Sequence, residues 1–224
     1  MKKTITTLSF LALAATSQAA VTASSTLAVT DANLTPNALY TSVVHAWNAN
    51  GTASATVGGV LYSTSQPTDI VIAEFPNAMS SSATAAHYTG GLATLMENGM
   101  NTDFNGAGGV ITLNNLIVGR QYQLLMTSQH DIGNNPLRGH SLYFNPNGVS
   151  TQLHTGVNYG DDTGVVEEVY FTADLTSHTV KMFRPSGAQR ATFNSILLVA
   201  VPEPSSAALL GLGGLALILR RRKG

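Results

Sequence analysis

The sequence predicts a mainly β protein, an antiparallel β-sandwich or jelly roll with one short helix. Three observations carry that expectation. The middle of the chain reads as many short β-branched or alternating stretches, separated by Gly, Asn, Asp and Pro. Only Tyr88 to Asn98 has its apolar residues at helical spacing. The turns recur at short, regular intervals, which suits a sandwich better than alternating strand and helix units, and no solenoid or propeller period is present.

In chain order, Thr26 to Thr30 is β-branched and ends at the turn formers Asp31-Ala32-Asn33. Ala38 to Trp47 is the second extended stretch. Side chains repeat every two residues along a strand, so His45 and Trp47 share a face. Asn50-Gly51 predicts a hairpin into Thr52 to Val57, and Gly58-Gly59 a turn into Val60 to Ser63. Asp69 to Phe75 is a further apolar run, stopped by Pro76. In the helix, Tyr88, Leu92, Leu95 and Met96 form one apolar stripe, Met96 as core packing, and Gly99 is placed for a left-handed cap. Further strands are expected at Val110 to Leu113, Ser141 to Asn145, Val149 to His154, Val165 to Ala173, Thr179 to Arg184 and Ala191 to Ala200.

Leu116-Ile117-Val118-Gly119-Arg120-Gln121-Tyr122 resembles the Leu-x-Pro-Gly-x-x-Tyr corner of fibronectin-like and other β-sandwich modules, with Val118 where Pro is usual. Gly permits the reversal, and Tyr buries its ring while its hydroxyl returns to backbone upstream. Tyr122, Leu124 and Met126 then alternate onto one face.

The two ends lie outside this domain. Met1-Lys2-Lys3, the apolar Leu8 to Ala15 and the small residues Ser17-Gln18-Ala19 form a secretory signal peptide, residues 1–19, cut after Ala19 by signal peptidase. Residues 20–200, about 180 in number, suffice for one domain with a core. Residues 201–224 are a distinct tail. Pro202 and Pro204 hold their neighbours extended. Ala207 to Leu219 is uncharged, and as a helix its thirteen residues rise about 20 Å against a hydrocarbon core of roughly 30 Å. Ser205 and Ser206 lengthen the helix at its entrance. Arg220, Arg221, Arg222 and Lys223 snorkel at its exit and stay cytoplasmic by the positive-inside bias. The chain before Pro202 is then on the far side of the membrane.

The order Pro202-Glu203-Pro204, short hydrophobic helix, Arg-rich end resembles the PEP-CTERM sorting signal of exosortase substrates. The resemblance implies processing at or near Pro-Glu-Pro by exosortase, a membrane-embedded protease or transpeptidase with its own catalytic Cys. A simple unprocessed membrane anchor is the plainer alternative. A longer likeness of pattern covers His45-Ala46-Trp47-Asn48, Val57 to Tyr62, Tyr88 to Leu95, Leu113 to Tyr122 and Asn194 to Leu198. These stretches are similar to extracellular domains of PEP-CTERM proteins, which in outline resemble galactose-binding-like jelly rolls. That likeness bears on fold and location and carries no ligand motif.

Val21 to Ala200 has eleven acids and five bases, a formal charge of −6. Its bases Arg120, Arg138, Lys181, Arg184 and Arg190 are scattered, so the cationic face that a nucleic-acid partner requires is missing. The chain has no cysteine, which excludes thiolate nucleophiles, disulfides and Cys-based metal sites. Neither a Gly-x-Ser-x-Gly elbow nor His-Glu-x-x-His occurs. Gly211-Leu212-Gly213-Gly214-Leu215-Ala216 has the letters of a dinucleotide loop, but it lies in the apolar tail without a preceding strand. Glu167 and Glu168 alternate across a strand and so point to opposite faces.

Two patches remain as candidate sites. The loop from Gln129 to His140 gathers His130, Asp131, Asn134, Arg138 and His140, groups able to hold sugar hydroxyls beside Trp47 or Tyr143 as an apolar platform. The same residues also suit a polar connector bonded to its own backbone. Asp161 and Asp162, in Asn158 to Gly164, offer hard oxygens to a structural Ca²⁺, or form a solvated turn. No other cofactor is expected. The functional expectation is an exported, non-enzymatic surface or matrix protein, transiently membrane-anchored. A module binding extracellular polysaccharide is the first alternative and a secreted hydrolase the second.

Overall fold

Leu124-Leu125-Met126 and Ile196-Leu197-Leu198-Val199 are apolar at every position rather than at every second one. Strands of that kind need cover on both faces. The computed structural model describes residues 21–27, 29–80, 86–102, 108–129, 139–144, 151–158, 164–183 and 190–202. The described strands are β1 (Thr22–Leu27), β2 (Ser42–Asn48), β3 (Ala55–Val57), β4 (Val60–Tyr62), β5 (Ile70–Ala73), β6 (Asn77–Ser80), β7 (Asn98–Asn101) and β8 (Gly109–Leu113). They continue as β9 (Gln121–Ser128), β10 (Gly139–Phe144), β11 (Thr151–Asn158), β12 (Val165–Thr172), β13 (His178–Phe183), β14 (Thr192–Phe193) and β15 (Ser195–Ala200). One helix, α1 (Gly90–Glu97), stands among them.

Two five-stranded sheets face each other, ordered β1-β12-β9-β15-β2 and β11-β10-β13-β8-β5. Their strand pairs are antiparallel throughout. The chain crosses between the layers repeatedly, with β8 in the second sheet, β9 in the first, β10 and β11 in the second and β12 in the first. This is the jelly-roll sandwich that the sequence predicts.

The core between the sheets takes Tyr122, Leu124, Met126, Val169, Phe171, Ile196 and Leu198 from the first and Ile111, Leu113, Leu142, Phe144, Val180 and Met182 from the second. The other face of the first sheet gives Leu125, Val166, Leu197 and Val199 to a second core. There the β3–β4 hairpin and α1 cover it with Val57, Tyr62, Leu92, Leu95 and Met96. This second cover is why β9 and β15 lack alternation. In the second sheet, every other residue along β8 and β13 is half-buried, on the outward face.

Four local expectations are corrected. Asn50-Gly51 does turn, with Asn50 at φ 56° and Gly51 N donating to Asn48 O at 3.1 Å, but no β2–β3 hairpin follows. β2 pairs with β15, while β3 pairs with β4 across Gly58-Gly59, whose φ values of 58° and 78° suit a tight hairpin turn. Gly99 is not a helix cap. α1 runs directly into β7 with Asn98 extended, and a Cβ on Gly99 would lie 2.5 Å from Phe193 O. The second stretch starts at Ser42 rather than Ala38, because Asn37 turns the chain by accepting from Leu39 N at its side chain and Tyr40 N at its carbonyl. The first strand runs Thr22–Leu27 rather than Thr26 to Thr30. Its Thr-Ala-Ser-Ser is weakly β-forming and is held by pairing with β12 at the sheet edge.

Candidate functional site

The place where the chain leaves the domain is built by the tyrosine corner. Tyr122, 2% exposed, stacks on Phe171, and its hydroxyl accepts a hydrogen bond from Ile117 N at 2.9 Å. The turn this closes has Gly119 at φ 87°, a conformation open to glycine at little cost. A second turn clasps it: Gly119 N donates to Ala173 O at 2.7 Å, Ala173 N to Arg120 O at 2.9 Å and Leu116 N to Thr176 O at 3.0 Å.

Central strand β15 ends beside this pair of turns. Val201 N donates to Gln121 O at 3.0 Å, and Arg120 Nε donates to Val201 O at 3.0 Å. Val201 is thus held through both of its backbone polar groups, and Pro202, the next residue, is exposed. Ile117 to Gln121 with Val201 and Pro202 line an open cleft of about 400 Å³. Glu203, Pro204 and the basic residues Arg220 to Lys223 lie outside the described residues, as do Ala19 and the rest of residues 1–19.

Most of the expected sugar-binding loop also lies outside them: His130, Asp131, Asn134 and Arg138. Its flanks are placed, and two residues are corrected. His140 is a β10 residue, fully buried, with Nε2 2.8 Å from Glu167 Oε1. Trp47, expected as an apolar platform, is a core residue 2% exposed, edge-on to Phe193. Trp47 belongs to edge strand β2 and His140 faces β12 near the opposite edge, so the fold does not bring them together. Asp161 and Asp162 lie outside the described residues, and among the described residues no group of three His or acidic side chains is placed to hold a metal.

His45 stays on the Trp47 face of β2, 3.6 Å from Asp69. Burial lowers its pKa, and the Asp69 carboxylate opposes that shift. Glu167 and Glu168 do point to opposite faces. Glu168 accepts from Gln123 Nε2 and the Tyr170 hydroxyl, each at 2.6 Å, while Glu167 points into the sandwich.

Tyr143, the other platform considered, lies on the outward face of the second sheet. It is half-buried, edge-on to Phe183 with centroids 5.1 Å apart, and paired in register with Lys181 on one side and Gln152 on the other. The alternation of Thr179 to Phe183 could have found Phe183 and Lys181, had the outward face been known.

Sequence reasoning also missed Asn194. Its Oδ1 accepts from Gln129 N at 2.7 Å, and its Nδ2 donates to Met96 O at 3.1 Å and Asn98 O at 2.9 Å. Gln129 in turn bonds the Tyr88 hydroxyl. A lone Asn between two apolar strands gives no signal of such a role.

The chain is therefore a jelly-roll β-sandwich whose central strand runs out directly into a sorting signal. That signal is the PEP-CTERM protein-sorting motif, matched over residues 200–223. The motif implies export, exosortase recognition and association with the cell envelope. Among the described residues no helix is long and apolar enough to cross a membrane. Similar solved structures include the ANX2 ectodomain of Arabidopsis thaliana, with a TM-score of 0.55 at 8% identity over 71% of this chain and 50% of that one. The ANXUR1 extracellular domain of the same plant gives 0.51 at 11% identity over 72% and 51%. A chain from the complex of plant peptide RALF23 with FER and LLG2 gives 0.52 at 11% over 75% and 54%. The chain spans about half the length of these solved chains, and the likeness is one of fold. No curated protein matches the chain.

Proposed function

We propose that the protein is a non-enzymatic component of the cell surface or extracellular matrix. In this reading signal peptidase removes residues 1–19, the apolar tail holds the sandwich at the membrane, and exosortase acts at Pro202-Glu203-Pro204. The observation that carries the reading is the junction: the matched motif begins at Ala200, the last residue of β15. A central strand leaves no slack, so the domain can fold completely and still offer Pro202 on its surface. The scattering of the acids supports a role without catalysis, since Glu167 and Glu168 face apart and each is bonded to its own neighbours. The test is expression with and without the exosortase, following the tail by mass spectrometry. Loss of processing in Glu203→Ala supports the reading, whereas a tail left intact in cells with active exosortase overturns it.

A second reading is binding of extracellular polysaccharide on the outward face of the second sheet. Tyr143 and Phe183 give it an apolar surface, and Lys181 and Gln152 supply polar groups beside it. Screening the full chain and Tyr143→Ala against a glycan array separates the two. Specific binding lost in the variant favours the module, and no binding to any glycan leaves the structural role.

A further inference from the structure

We propose that the end of the sandwich from which the chain leaves is a lipid-facing surface, seated on the membrane interface by Ile117, Val118 and Leu175. The inference rests on the reading that the tail enters the membrane. Seven large hydrophobic side chains are exposed among the described residues, and these three, at 47%, 57% and 44%, fall in the two clasped turns beside Val201. A water-facing turn has no need of Ile-Val at its tip, and apolar side chains grouped at one end of a domain mark an interaction surface.

The partner follows from chain length. Val201 is held on both sides, and Ala207, where the apolar run begins, is six residues on. Six residues span at most about 22 Å when fully extended. If the run enters lipid, this end of the domain is confined to the headgroup region or just above it. Aliphatic tips there sink into the interface, and the Arg120 guanidinium beside Val201 lies level with lipid phosphates. Another protein could occupy the same patch, but only lipid is brought within reach by the chain itself.

The absence of cysteine makes a direct test practical. Single-cysteine variants of the full chain, Val118→Cys and Leu175→Cys, are labelled with an environment-sensitive fluorophore and reconstituted in phosphatidylcholine–phosphatidylglycerol vesicles carrying a spin-labelled headgroup lipid. Thr89→Cys, exposed just before α1, serves as the control. Leu212→Cys with an acyl-chain spin label reports entry of the tail. Circular dichroism of each variant confirms that it is folded. A blue shift and quenching at 118 and 175 but not at 89, with the tail label quenched, is the expected result. A quenched tail with 118 and 175 as bright as 89 overturns this inference and leaves the anchoring reading standing. An unquenched tail sinks that reading, and the inference with it.

Discussion

His140 Nε2 lies 2.8 Å from Glu167 Oε1, joining the two sheets of the sandwich inside its core, with both side chains fully buried. The other carboxylate oxygen of Glu167 accepts from Ser25 Oγ at 2.6 Å, which ties edge strand β1 into the same cluster. Removing one partner of a buried pair takes that interaction from the other where water cannot replace it. Glu167→Ala should therefore lower stability by about 3 kcal/mol, beyond the loss of the carboxylate's own contacts. Urea denaturation of Glu167→Ala, His140→Ala and the double variant measures the coupling. A double variant less destabilised than the sum of the two single ones is expected, because the interaction between the pair is lost only once.

Asn194 links four parts of the fold with one side chain, through Gln129 N, Met96 O, Asn98 O and its place between β14 and β15. Asn194→Asp keeps the acceptor but turns a carboxylate oxygen toward two carbonyls. The expected loss is about 3 kcal/mol, from two buried carbonyls that lose the bonds donated by the amide. Thermal unfolding checks it, with Asn194→Ala as the comparison lacking a new charge.

The legible parts of the fold were those that follow from one face at a time. The corner at Leu116 to Tyr122, the Leu92, Leu95 and Met96 part of the α1 stripe and the alternation of Tyr122, Leu124 and Met126 stand where the sequence places them, because each is a local pattern with one physical cause. Tyr88, by contrast, precedes α1 and Asn98 follows it. What failed needed knowledge of a partner. Trp47 is apolar and aromatic on an extended strand, which fits a sugar platform and a core position equally. Only the layer of β5 and β8 opposite it decides for the core. His140 looked like part of a polar loop because its partner, Glu167, is distant in sequence. β6 and β7 went unseen, since Asn-Gly-Met-Asn has no β pattern and is held by pairing with β6 and β14. Of the candidate site, the tail was readable by the order of its parts, whereas its junction with the domain was not. The hold of Arg120 on Val201 depends on β15 lying beside β9, a pairing across most of the second half of the domain.

The hydroxyl of Tyr122 accepts from Ile117 N and holds the turn that carries Arg120. Tyr122→Phe keeps the ring on Phe171 and removes only that bond, so a loss of about 1 kcal/mol is expected. Protection of the Ile117 amide against hydrogen exchange should fall further than that of β9 as a whole. If it fell no further than protection elsewhere, the hydroxyl would not be what holds the turn.

High pH should unfold this domain through its buried tyrosines. Burial pushes the Tyr88 phenol up from 10.0 to about 12, against a smaller opposing effect from a hydrogen bond with the Gly164 backbone. Burial raises the Tyr62 phenol as well, inside the second core. Below pH 10 these phenols stay protonated whether the chain is folded or not, and they add no pH dependence. Above it the unfolded chain releases protons that the folded one still holds, so stability falls as pH rises from 10 toward 12. The urea midpoint should drop over that window, with the Tyr62 and Tyr88 phenolates forming together with unfolding rather than before it. Tyr62→Phe removes one of the raised phenols, among which burial also lifts Tyr40 and Tyr170, and should make the drop shallower. An unchanged slope would mean that Tyr62 ionises alike in both states and that burial in the second core does not hold its proton.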